Sequence, residues 1–474
     1  MRRARSGWPA AGMGLLSLAA PGAAHAADFV GDRLGLGWIL PFVGLLASIA
    51  VAPLAVPRVW HAHFGKIALG WALALLVPFA IAFGPMEAAH QVAHAVLLEY
   101  LPFVVLLFAL YTVSGGIGLF GTLHGTPATN TALLASGALL ANVMGTTGAA
   151  MVLVRPLIRA NAGRAHNVHV LVFFIFLVAN AGGSLTPLGD PPLFLGFLSG
   201  VSFFWTTTAL LAPALTLWAA LLAIFYVVDR GVARRAGEAR VAVVDTPSDE
   251  RLRLGGLANL GLLVAIVVAV LVSGFWRPGV VFTVLGTGLE LQNLARDALL
   301  VVIALISLRI TPASVHAHNE FNWEPMKEIS KLFAAIFVTM IPALAILKAG
   351  DAGALGTLTR LVTTAAGEPD NAMYFWLTGL LSAFLDNAPT YLVFFNLAGG
   401  DARELMAHRQ TLAAISGGAV FMGALSYIGN APNFMVRAIA VDRGIRMPSF
   451  FGYMAWSCGI LLPLFILLTF LFFR

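Results

Sequence analysis

Apolar runs close to twenty residues long recur along this chain from Leu36 to Phe473, separated by short clusters of charged residues, glycine and proline. A helix needs about 20 predominantly apolar residues to cross the ~30 Å hydrocarbon core of a bilayer. The pattern predicts membrane-crossing helices near 36–56, 64–83, 101–120, 204–228, 256–274, 294–310, 332–348 and 450–473. Two longer stretches, 168–199 and 410–440, are apolar at both ends but interrupted by Gly, Pro, Asp or Asn, and are read as broken helices. Two others, 125–160 and 373–398, carry a polar kink that leaves pieces too short to cross alone, and are read as re-entrant hairpins. The expected fold is an all-α polytopic membrane protein of about ten transmembrane helices, with two hairpins besides.

Composition agrees. Of 474 residues, 59% are hydrophobic and 11% charged, and the mean hydropathy is +0.89. A soluble domain carries about a quarter charged residues, so a soluble enzyme is excluded as a reading. The single cysteine, Cys458, excludes an internal disulfide framework or a cysteine-rich metal site. At the amino terminus, Arg2, Arg3 and Arg5 precede a short apolar stretch and the small-residue site Ala24-His25-Ala26. That is the form of a signal peptide spanning 1–26. An uncleaved first helix is the alternative.

Positive charge then orients the chain, because Lys and Arg concentrate in cytoplasmic loops. With the mature amino terminus outside, 17 Lys and Arg fall inside and 8 outside. This places the protein in a bacterial inner membrane with a periplasmic amino terminus. The charged segment 229–255 divides five spans from five, giving a first repeat at 27–228 and a second at 256–474. An odd number of spans per repeat makes the second half enter the membrane inverted, an arrangement found in secondary transporters.

The repeats are visible in sequence. Thr186-Pro-Leu-Gly-Asp-Pro-Pro-Leu-Phe-Leu195 aligns without gaps to Ser426-Tyr-Ile-Gly-Asn-Ala-Pro-Asn-Phe-Met435, with identities at Gly189/Gly429, Pro192/Pro432 and Phe194/Phe434. Each follows a hairpin with an Asn expected at its tip, Asn142 and Asn387. Helix breaks at membrane depth are tolerated only where protein or a water-filled cavity satisfies the freed backbone. The freed carbonyls, with Asn, Ser and Thr oxygens, make a hard-oxygen cage suited to a small cation. Two readings apply to each of these residues: a cap on a broken helix or the lining of a site. Asp386 is the most informative, since an Asp at mid-membrane costs ~2.5–3.5 kcal/mol on insertion scales.

At these residues the chain resembles the ion transporter superfamily, in the branch that holds sodium/proton antiporters and citrate transporters and is related to arsenite permeases. The stretches Asn142–Asn161, Phe173–Trp205, Ser382–Phe395 and Gly423–Met435 carry the resemblance. It implies two inverted five-helix repeats meeting at a central site, elevator-type alternating access, and a homodimer in membrane lipid. The carboxylate transporters of the superfamily are similar to one another in a Ser-Asn-Thr signature at each tip. Here the tips read Ala141-Asn142-Val143 and Asp386-Asn387-Ala388. An ionised Asp386 repels a substrate carboxylate unless a cation intervenes, and neither half offers an obvious buried arginine, Arg155 and Arg437 reading as topology anchors. The expectation is therefore sodium/proton antiport, with sodium and protons competing at Asp190 and Asp386. Asn142, Thr146, Thr147, Asn180, Thr186, Asn387, Thr390, Ser426 and Asn430 would supply neutral oxygens or hold the breaks open. Ion-coupled citrate or dicarboxylate transport is the alternative and arsenite export the third.

Other features weigh less. Glu87, His90 and His94 share one helix face and are read as an interfacial helix rather than a metal site. His316–Lys331 is read as a second interfacial helix. An intramembrane aspartyl protease is a remote reading, because Leu188-Gly189-Asp190 only partly matches its motif and the two aspartates come in the wrong order. No catalytic residues, cofactor or nucleic-acid partner are expected.

Overall fold

The structure is a computed structural model that describes residues 31–236 and 251–474. The expected signal peptide and part of the linker lie outside the described residues. Helices α1 (Leu40–Ala55) and α2 (Pro57–Phe83) are followed by a single rod made of α3 (Pro85–His94), a π-helical turn (Ala95–Tyr100) and α4 (Leu101–Gly115). Then come α5 (Pro127–Ala160), α6 (Val168–Leu177), α7 (Pro191–Leu198) and α8 (Phe203–Arg235). The second half contains α9 (Ala258–Phe275), α10 (Leu291–Ile310), the short α11 (Ala313–His318), α12 (Glu324–Lys348) and α13 (Gly356–Leu361). It closes with α14 (Asn371–Phe384), α15 (Asn387–Leu397), α16 (Ala402–Ala407), α17 (Arg409–Met422), α18 (Ala431–Asp442) and α19 (Phe450–Phe472).

Ten described helices are long and apolar enough to cross a membrane, so the chain is a multi-pass membrane protein. The number matches the expectation, but the membership differs. It includes Pro127–Ala160, expected as a hairpin, and omits the stretch 410–440, whose helices α17 and α18 have 14 and 12 residues. Burial separates centre from rim: 89% of the apolar window in Val168–Leu185 is buried, against 17% in Leu36–Pro53. The broken segments therefore sit at the centre, inside a ring of helices whose apolar side chains face outward.

Helix α5 is two arms folded back on each other. Gly145 has φ 77 and ψ 156, a backbone conformation open to glycine and strained for other residues. Positions equidistant from it are neighbours. Asn130 and Asn161 exchange amide hydrogen bonds of 2.9 and 2.8 Å, and a Cβ on Gly137 would lie 3.0 Å from the Leu153 side chain. Helices α14 and α15 repeat the arrangement about Leu385 and Asp386, with the rings of Tyr374 and Phe394 centred 6.5 Å apart. Thr126 and Asp370 cap the first arm of each hairpin, accepting from Thr129 N and Met373 N.

A buried polar lock fixes the base of the first hairpin. Asp229 accepts from Arg164 at 2.5 Å, from His169 at 2.8 Å and from Asn130 at 3.0 Å. This joins both ends of α5 to α6 and α8. The expected span 204–228 thus stops short of the helix, which continues through Asp229 to Arg235, because three donors partner the acid inside the bundle.

Other differences are local. Residues 85–100 continue straight into α4 instead of lying apart as an interfacial helix. The segment 316–331 is not one helix either. It breaks after His318, where Asn319 donates to Gly115 O and Ile117 O at 2.9 and 2.7 Å, and Glu324–Lys331 opens α12. Among the described residues there are two small antiparallel ribbons: β1 (Gly118–Phe120) with β2 (Arg253–Gly255), and the hairpin of β3 (Val281–Val284) with β4 (Thr287–Glu290).

Candidate functional site

The two helix breaks share their close glycine contacts and a hydroxyl bond to the facing hairpin. In the first, a Cβ on Gly189 would stand 2.1 Å from Gly183 O; in the second, a Cβ on Gly429 would stand 2.5 Å from Gly423 O. Only glycine allows backbones so close. Thr186 Oγ1 donates to Asn142 O at 2.5 Å, and Ser426 Oγ donates to Ala383 O in the matching place. Carbonyls freed by the breaks are taken up by the last long helix of each half. Trp218 Nε1 and Thr207 Oγ1 of α8 donate to Ala181 O and Leu185 O at 2.8 and 2.6 Å. Tyr453 and Ser457 of α19 donate to Ala424 O and Leu425 O at 2.8 and 2.6 Å.

At the centre stands Asp190, 1% exposed. It occupies the N-cap of α7 without capping it. Its carboxylate instead receives Thr146 Oγ1 at 3.0 Å and Asn387 Nδ2 at 2.5 Å from the two hairpin tips, and Asn430 Nδ2 at 3.2 Å from the opposite break. Thr146 and Asn387 each follow the tip of their hairpin directly, so the two tips hold one carboxylate between them. Asn387 Oδ1 is buried and without a partner, an acceptor in a place where an unpaired polar atom costs about 1–3 kcal/mol. A cavity of about 30 Å³, lined in part by Asp190, Thr146 and Thr147, adjoins the group. That is room for about one water or ion. Its polar lining is the Asp190 carboxylate and the Thr146 and Thr147 hydroxyls, hard oxygens of the kind a small cation takes, and the rest of its wall is largely apolar, with Phe103, Leu110, Met144 and Phe194.

The remaining predicted residues separate into two groups. Asn430 also reaches Ala179 O and Asn180 Oδ1 at 3.1 and 3.4 Å. Asn180 passes the chain on to Asn433 Oδ1 at 2.7 Å, and Asn433 donates to Gly423 O and Ser426 O at 2.9 Å each. This relay ties the two breaks together. Asn142 lies three residues before the turn, not at it; its Nδ2 donates to Ala138 O at 3.0 Å and its Oδ1 accepts from Leu185 N at 2.8 Å. Thr186, Ser426 and Thr390 likewise bond to backbone, Thr390 to Asp386 O at 3.0 Å. These four hold the breaks and hairpins in shape and do not reach Asp190.

Asp386 behaves differently from Asp190. One of its oxygens accepts from Ala388 N at 3.1 Å, capping α15. The side chain lines a second cavity of about 420 Å³ together with Asn430 and Tyr427. This vestibule extends to Arg155, Glu320 and Arg443, and its wall includes Trp60, His61, Glu324 and Glu328. Segments assigned to the cytoplasmic side by their positive charge thus meet around one opening.

Sequence reasoning missed Asn433 and Glu320 and set Arg155 aside. Asn433 stands opposite Leu193 in the repeat alignment, and that polar departure from an apolar partner was the available signal. Glu320 carried none, since its role depends on two arginines far away in sequence.

The family described as "Putative citrate transport" matches residues 31–473 of the chain. None of the curated proteins matches it.

Proposed function

Since the chain belongs to this citrate-transport family, we propose that it is a secondary transporter carrying a citrate-like polycarboxylate together with a cation. The observation that carries this reading is the vestibule. Its volume of about 420 Å³ lies in the range of about 300–1,000 Å³ typical of small-molecule sites, far more than a bare ion needs. Five acids line it (Glu320, Glu324, Glu328, Asp386 and Asp442) against two arginines and one histidine. An organic anion entering such a space requires a cation beside it, which gives Asp386 a coupling role rather than a repelling one. The one-ion cavity at Asp190 supplies a second place for sodium or a proton.

Transport follows from the way the parts connect. The hairpins and broken helices form one polar-bonded unit around Asp190, packed against α4 and α12. Filling the cation cavity neutralises Asp190 and lets this unit move across the membrane against its surrounding helices. Sodium/proton exchange without an organic anion is the second reading, favoured by the single-ion size of the Asp190 cavity. Proteoliposomes decide between them. Labelled citrate or succinate uptake that requires a sodium or proton gradient is the expected result. Sodium-driven proton movement with no dependence on any carboxylate would replace the first reading by the second.

A further inference from the structure

Glu320 sits in an unusual place. Its backbone is left-handed, φ 48, a region uncommon for residues other than glycine. It lies on the turn between α11 and α12, pinned to the end of α4 by Asn319 and by Tyr111 Oη, which donates to Asn322 O at 2.6 Å. From there its two carboxylate oxygens divide between two arginines. Oε2 meets Arg155 Nη2 at 3.2 Å, and Oε1 meets Arg443 Nη2. Arg155 belongs to the second arm of the first hairpin and Arg443 to the end of α18, so the two cations come from different halves of the chain.

Arg155 is built as a binding group. Its side chain is 8% exposed, its Nε is buried without a partner, and it lines the vestibule. A buried guanidinium offers donors in a fixed fork that suits a planar carboxylate. Here Glu320 takes up only part of that capacity, and Glu320 itself is half exposed, free to swing into water.

We propose that Arg155 and Arg443 form a carboxylate subsite at the vestibule mouth, with Glu320 as a tethered stand-in that one carboxylate of the substrate displaces. The subsite takes dicarboxylates and tricarboxylates, whose remaining acid groups reach inward toward the cation held at Asp386. When the substrate leaves, Glu320 returns, and the two arginines are never left unpaired. This inference rests on the polycarboxylate reading above.

The test is equilibrium binding of labelled citrate and of succinate to purified full-length protein, in saturating sodium, with acetate as a competitor. Glu320→Gln removes the internal competitor, so citrate binds about tenfold more tightly, whereas Arg443→Gln and Arg155→Lys weaken it by a similar factor. Arg443 is about half exposed, so its substitution leaves folding intact and keeps the test valid should the Arg155 variant express poorly. Acetate competes only weakly. If Glu320→Gln and Arg443→Gln weaken or spare binding alike, Glu320 is a latch between moving and fixed helices, and the subsite is refuted. If the unaltered protein binds neither citrate nor succinate, the polycarboxylate reading itself fails.

Discussion

Replacing Asp190 by Asn and by Ala separates its charge from its hydrogen bonds. In the native site Oδ1 accepts from Thr146 and Asn430, and Oδ2 accepts from Asn387. An Asn at position 190 keeps its oxygen on the side with two donors and turns its amide toward Asn387. Asn387 answers by rotating its own amide, presenting the Oδ1 that is unpartnered in the native protein. The three hydrogen bonds of residue 190 are then remade, the Asn387 amide nitrogen takes over the unpartnered place its oxygen held, and the main loss is the charge. Asp190→Asn should keep a Tm within a few degrees of the parent. Its cation dependence of uptake should weaken about ten- to a hundredfold, the loss of one charge-assisted interaction of about 1.5–3 kcal/mol. Asp190→Ala instead strands the buried donors of Thr146 and Asn387 at about 1–3 kcal/mol each, while Asn430 keeps Ala179 O and Asn180 Oδ1, and its Tm should fall by on the order of 5 °C. Both variants are measured by thermal unfolding in detergent and by sodium-dependent citrate uptake in proteoliposomes. The reasoning is refuted if Asp190→Asn transports with unchanged cation dependence, or if Asp190→Ala is as stable as the parent.

The lock at the base of the first hairpin predicts that Asp229→Asn costs about 3–5 kcal/mol, because it removes the charged acceptor of a buried ion pair that Arg164, His169 and Asn130 share; an unshifted Tm would show that the lock is not structural. Gly189→Ala should abolish folding, since its Cβ meets Gly183 O at 2.1 Å, while Gly261→Ala, with nothing within 4 Å, should be neutral or mildly stabilising; chromatographic monodispersity after expression distinguishes them. His318 is held neutral by burial and by the adjacent Arg159, which shift its pKa below the ordinary histidine value of ~6.5. The unfolded chain therefore binds the extra proton first, and stability contributed by His318 is present above that value and lost as the pH falls below it. His318→Gln should flatten the acid side of a Tm-against-pH curve, and an identical curve would remove His318 from the account.

The sequence by itself determined the multi-pass class, the two hairpins, the paired breaks and the candidate Asp190, Asn387 and Asn430. Each is written locally: apolar length sets a helix that can span, and Gly, Pro, Asp or Asn inside such a run marks a backbone that must leave the helix. Which polar residue serves the break and which serves the site was not written there. Asn142 and Asn387 look alike as hairpin asparagines, yet one is satisfied by Ala138 O and Leu185 N and the other reaches Asp190. Only the packing of four separate segments around one carboxylate makes that choice. The same holds for Arg155. Read along the chain it is a positive charge near a cytoplasmic helix end. In the fold it is buried beside a cavity and faces Glu320, 165 positions away. Local pattern sets the breaks, because backbone geometry is local; tertiary structure sets their partners, because a buried polar group is satisfied by whatever the rest of the chain brings within hydrogen-bond reach.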